Sequence, residues 1–68
     1  MNVRLNGTVI TITTGDTLAA LLRRHDIEEN ADGIAVAVND VVVPKHEWAA
    51  RRLEGGDEVE VIRAVQGG

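Results

Sequence analysis

The apolar and polar positions alternate from the first residues. Met1, Val3 and Leu5 are apolar, Asn6-Gly7 follows, and Ile10 and Ile12 continue on the same parity once a two-residue turn sets Leu5 opposite Thr8. Asn-Gly between two alternating runs is a strong hairpin signal, because a type I′ turn needs a positive φ at both central residues. One face of the predicted hairpin then carries Met1, Val3, Leu5, Ile10 and Ile12. The other carries Arg4, Val9, Thr11 and Thr13. After Gly15 the period changes: Leu18, Leu21 and Leu22 fall at helical spacing, with His25 at the end of the same stripe. Asp16 or Thr17 is placed to cap the helix, and Arg23 and Arg24 suit its C-terminal dipole. Residues 26–33 are polar and end on a turn signal, so they read as a loop. Residues 34–38 form a β-branched strand, Asn39-Asp40 a second turn, and residues 41–43 a very short strand that Pro44 confines to a sheet edge. Residues 45–52 have room for a helical turn. A Gly55-Gly56-Asp57 turn leads into a last strand with Val59 and Val61 inward and Glu58, Glu60 and Ile62 outward.

The predicted order is β-β-α-β-β-turn-β. So short a helix does not persist alone in water and must lay its leucines on the apolar side of a sheet. The fold class is α+β, a mixed five-strand sheet with one helix across one face. The domain is expected to span residues 1–63, with residues 64–68 a flexible Gly-Gly tail.

Composition narrows the function. The chain has 68 residues, which allows one domain with a thin core. It has no cysteine, hence no disulfide, thiolate metal site or cysteine nucleophile. Its net charge of −4 argues against nucleic-acid binding, which needs a basic patch. No apolar run is long enough to span a bilayer, and no signal-peptide pattern opens the chain, so a cytoplasmic protein without membrane contact is expected.

Candidate chemistry is sparse. His25 and His46 have no second ligand at metal-site spacing, so no metal site is expected. The chain lacks serine, and Gly55-Gly56 is followed by acid rather than by the Lys-Ser/Thr of a phosphate loop. No nucleophile–base pair is visible, and an enzyme is not expected. Glu28, Glu29 and Asp32 read as solvated surface. Asp57, Glu58 and Glu60 have a second reading as a docking patch for a basic partner. The sole aromatic, Trp48, reads first as a lid on an aliphatic core and second as an interface anchor. Ile62, Val65 and Val9 are expected to form an apolar patch on the open sheet face. The chain ends on Gly67-Gly68. Glycine threads a narrow channel readily, and a terminal glycine carboxylate is the least hindered acyl group a protein can present to an activating enzyme.

These residues resemble a known family. The element order and the Gly67-Gly68 end look like the ubiquitin-like β-grasp fold. Closer still is the sulfur carrier of thiamine biosynthesis, the ThiS type. The resemblance rests on Asn6-Gly7, Gly15-Asp16-Thr17-Leu18, Leu21-Leu22, Ala35-Val36-Ala37-Val38-Asn39, Val43-Pro44, Trp48-Ala49, Gly56-Asp57 and Gly67-Gly68. Arg51-Arg52, Glu58 and Glu60 depart from the pattern. The resemblance implies that a ubiquitin-activating-like adenylyltransferase uses ATP and Mg²⁺ to adenylate the Gly68 carboxylate. Sulfur from a cysteine desulfurase relay then gives a Gly68 thiocarboxylate, which thiazole synthase consumes. The carrier itself would bind no cofactor and supply no catalytic side chain, with Gly67 easing passage of the tail. Two other readings stay open: the small subunit of molybdopterin synthase, and a β-grasp interaction module with an inert tail.

Overall fold

The computed structural model describes residues 1–27 and 33–63. Its order is β1 (Asn2–Leu5), β2 (Thr8–Thr11), α1 (Leu18–Arg24), β3 (Ile34–Val38), β4 (Val41–Val42), a 3₁₀ turn (Lys45–Glu47) and β5 (Glu58–Arg63). The strands form one sheet in the order β2-β1-β5-β3-β4. β5 is therefore central, parallel to β1 and antiparallel to β3. This is the expected β-grasp arrangement.

The first hairpin keeps the predicted register, and the second turns at Asn39-Asp40 as expected. Leu5 lies opposite Thr8 and Val38 opposite Val41. Positive φ at Asn6 (49°), Gly7 (83°), Asn39 (51°) and Asp40 (68°) fits the turn geometry whose twist matches flanking strands. β2 ends two residues earlier than predicted, at Thr11, yet Ile12 N–H still bonds the Met1 carbonyl at 2.8 Å and the Met1 ammonium bonds the Ile12 carbonyl at 3.0 Å. Ile12 thus stays fixed in the core.

Thr17 caps α1, its hydroxyl accepting the Ala20 N–H at 3.2 Å. Asp16 instead accepts from the Thr13 N–H at 3.1 Å and from Arg24 at 2.8 Å, bracing the helix from outside. Leu18, Leu21 and Leu22 are fully buried against Val3, Val36, Val38 and Val59. Each such leucine removed from water contributes about 1.5–3 kcal/mol. His25 does not extend this stripe: it is the C-cap residue and exposed, because the helix ends at Arg24 and Asp26 takes a left-handed φ of 59°.

Trp48 follows the 3₁₀ turn and is 2% exposed, with its indole N–H donating to the Val43 carbonyl at 2.8 Å. The lid reading holds, and burial removes Trp48 as an interface anchor. The segment beneath it is tied to the start of α1 through Leu18 N–H to Arg51 O and Ala19 N–H to Trp48 O, at 2.8 and 3.0 Å. No helix among the described residues is long and apolar enough to cross a membrane.

Candidate functional site

Three of the predicted site residues, Glu58, Glu60 and Ile62, lie on β5. Its inward residue Val59 sits in the core at 1% exposure, and Val61 packs against the core from its margin. Alternation turns Glu58, Glu60 and Ile62 to the face opposite α1, where all three are exposed. Ile62 is 52% exposed, a large aliphatic left in water on the central strand. Val65, Gly67 and Gly68 lie outside the described residues. So do the expected tail, residues 64–68, and the acidic group Glu28, Glu29 and Asp32.

Asp57 departs from the expected exposed acidic patch. It is 6% exposed, and its carboxylate accepts from Asn39 Nδ2 at 3.0 Å and from the Glu54 N–H at 2.8 Å, with Arg51 Nη2 4.0 Å away. Its oxygens are engaged within the chain, so it serves the turn rather than an outer docking surface. Glu58 and Glu60 remain outside. Glu58 forms a long ion pair, 3.7 Å, with Arg4. Both partners are more than half exposed, so the pair is screened and contributes little stability. A shallow hollow of about 110 Å³ lies between Arg4, Gly7, Glu58 and Glu60.

Val9 is also displaced from the expected patch. It is 57% exposed and faces the same side as Ile62, but it pairs with Arg4, and Arg4 lies beside Glu58. The row through Val9 is thus interrupted by charge. Ile62 lies four residues further along β5 than Glu58, about 13 Å at strand rise. Its cross-strand neighbour is the exposed Ala35, and the adjacent row is Glu60, Ala37 and Val42. Val42, 64% exposed, is an apolar member of this face that strand-by-strand reading missed. Its pairing with Ala37 was the available signal, since Asn39-Asp40 fixes that register.

A larger open cleft, about 320 Å³, runs beside β4 between Val42, Pro44, Glu47, Ala50 and Arg51, and none of the described site residues predicted from the sequence lines it. His25 and His46 are both exposed. Among the described residues no His, Asp and Glu side chains gather in a group that could hold a metal ion. The chemistry that this arrangement supports is therefore presentation: a central strand, secured in the core, running out beside an exposed face of mixed apolar and acidic character.

Known proteins share this fold. The chain is 28% identical to the sulfur carrier protein ThiS of Escherichia coli, over 100% of both chains. Its structure superposes on that of the thiamine biosynthesis protein (ThiS) from Geobacter metallireducens with a TM-score of 0.82, at 26% identity and full coverage of both. SAMP1 from Haloferax volcanii matches with a TM-score of 0.62 at 18% identity, over 98% of this chain and 97% of that one, a likeness of fold. The ThiS family model matches residues 3–68, from the first strand through the terminal Gly-Gly, and the chain belongs to the ThiS family.

Proposed function

We propose that this chain, by its family a sulfur carrier of thiamine biosynthesis, works by presenting the Gly68 carboxyl group to partner enzymes. The observation that carries the reading is the family match, which runs through Gly67 and Gly68. A carboxylate is a poor electrophile. A partner adenylyltransferase of the ubiquitin-activating type joins it to AMP from ATP, with Mg²⁺ at that enzyme, and releases pyrophosphate. The outer sulfur of a persulfide from a cysteine desulfurase relay attacks the acyl carbon and expels AMP. A thiol of the relay then cleaves the resulting acyl disulfide, itself becoming a disulfide and releasing the thiocarboxylate. Thiazole synthase then takes the sulfur from this tethered nucleophile, whose attachment raises its effective concentration.

The carrier contributes no catalytic side chain in this scheme. Its part is a surface and an end. Ile62 and the exposed Glu58 and Glu60 form the face on which the adenylyltransferase docks. An apolar anchor ringed by acids suits a partner surface with an apolar pocket and basic rim. The lack of cysteine fits the same chemistry, since no internal thiol competes for the activated carboxyl.

The test is an intact mass. Incubation with the adenylyltransferase, ATP, Mg²⁺ and a sulfur source should add the difference between sulfur and oxygen. Deleting Gly68 should abolish the gain while leaving the circular dichroism unchanged. A truncated chain that still gains sulfur would place the modification elsewhere.

A further inference from the structure

β5 is gripped differently on its two flanks. On the β3 flank the ladder runs the full length of the strand, from Val38 opposite Val59 to Ile34 opposite Arg63. On the β1 flank the parallel pairing covers only Arg4 with Glu58 and Leu5 with Val59. Its rungs advance by two: Arg4 N–H donates to the Asp57 carbonyl and Asn6 N–H to the Val59 carbonyl, both at 2.9 Å. The next rung needs an acceptor for the Val61 N–H. β1 has ended at Leu5, and the chain turns away through Asn6 and Gly7. The acceptor is the Asn6 side chain, whose Oδ1 receives the Val61 N–H at 2.8 Å, across 55 residues of sequence.

Asn6 thus has two tasks. Its left-handed backbone, φ 49°, makes the hairpin turn, and its side chain extends the parallel ladder by one rung. Asparagine suits both, since it tolerates this backbone better than most residues and offers an amide oxygen within reach. A glycine would make the turn equally well, so the turn alone does not call for a side chain here. Asn6 is exposed and outside the core cluster, so its amide is also not needed for packing.

We propose that Asn6 is a positioning residue for the terminal carboxyl: its rung to Val61 pins the free flank of β5 and so fixes where the chain leaves the domain. The proposal rests on the function proposed above. Between Arg63 and Gly68 there are five residues, which reach at most about 18 Å when extended. The carboxyl can therefore lie no farther than that from the end of β5. A misplacement of about 1 Å in a reacting group is costly in general, because orientation supplies much of the rate. In this role Asn6 acts through the strand.

The test compares Asn6→Gly with Asn6→Asp in the full chain. Asn6→Gly keeps the turn and removes the acceptor, and Asn6→Asp keeps an acceptor oxygen. Amide hydrogen exchange at Val61 should quicken in Asn6→Gly while that of Val36 in the core stays put. Pyrophosphate release by the partner adenylyltransferase with ATP should then show kcat lower by about threefold to tenfold, the worth of one hydrogen bond, with KM unchanged. Asn6→Asp should restore both towards the wild-type values. Unchanged exchange at Val61, or quickened exchange with kcat unaltered, overturns the role. A raised KM at constant kcat would make Asn6 a docking contact instead and equally overturn it. If the wild-type chain supports no pyrophosphate release at all, the proposed function itself fails, and this role with it.

Discussion

The two ends of β5 are built to different standards. Where the strand enters the sheet, side chains converge. Asp57 accepts from Asn39 and from the Glu54 N–H, Asn39 Oδ1 accepts the Glu58 N–H at 2.9 Å, and Asn39 N–H donates to the Glu58 carbonyl at 2.8 Å. Val59 follows at once into the core. Where the strand leaves, Ile62 and Arg63 are exposed, and among the described residues the side-chain tie there on the β1 flank is the one from Asn6. Each hairpin turn lends an asparagine to β5, but Asn39 joins a part-buried network and Asn6 makes a lone exposed bond. The contrast teaches where this small domain concentrates order. Side chains anchor the strand before the core; after it the strand is held by its main-chain ladder to β3 and, on the β1 flank, by Asn6.

Substitutions at the entry should therefore cost stability, and those at the exit should cost function. The largest loss of stability is expected for Asp57→Ala, which strips the partners from Asn39 Nδ2 and the Glu54 N–H. Two donors left without an acceptor at a part-buried site should destabilise by about 2–4 kcal/mol, measured by chemical denaturation. A loss under half a kilocalorie would mean that water replaces the carboxylate freely and that the entry is no firmer than the exit. Asn39→Gly comes next. It preserves the positive φ of 51° and removes only the side chain, for about 1–2 kcal/mol. Because Asn39 and Asp57 touch, the double variant should lose less than the sum of the two single losses. Strict additivity would show that they act separately.

The sequence made much of this legible, for local reasons. Asn6-Gly7 fixes register within a few residues, so the inward and outward sides of the first two strands could be assigned, and alternation assigned those of the last. The leucine spacing placed α1, and Pro44 placed β4 at the edge. What escaped depends on residues far apart in the chain. Asp57 looked like one of three solvated acids. Its burial follows from Asn39, 18 residues away, which alternation within one strand cannot reveal. Val9 and Ile62 share an outward face, but strand order decides whether they adjoin. Insertion of β1 between β2 and β5 puts Arg4 in the intervening row. The Asn6 rung escaped because a turn signal already accounted for that residue, and nothing local marks its second use.

Ile62→Asp should give the smallest change in stability and is the sharpest probe of the exit. Its side chain is half in water and faces away from α1, so the fold should change by no more than about 0.5 kcal/mol. The strand ladder to β3 is main-chain and survives the substitution. Binding is another matter. A charge in place of the apolar anchor adds a third carboxylate to Glu58 and Glu60 and removes the group that would fill a partner's pocket. Calorimetric titration with the adenylyltransferase should show affinity lower by tenfold or more, about 1.4 kcal/mol at the least. Undiminished affinity would take Ile62 out of the docking face. A large loss of stability would instead show that the exit of β5 is as deeply integrated as its entry, and the contrast between the two ends would collapse.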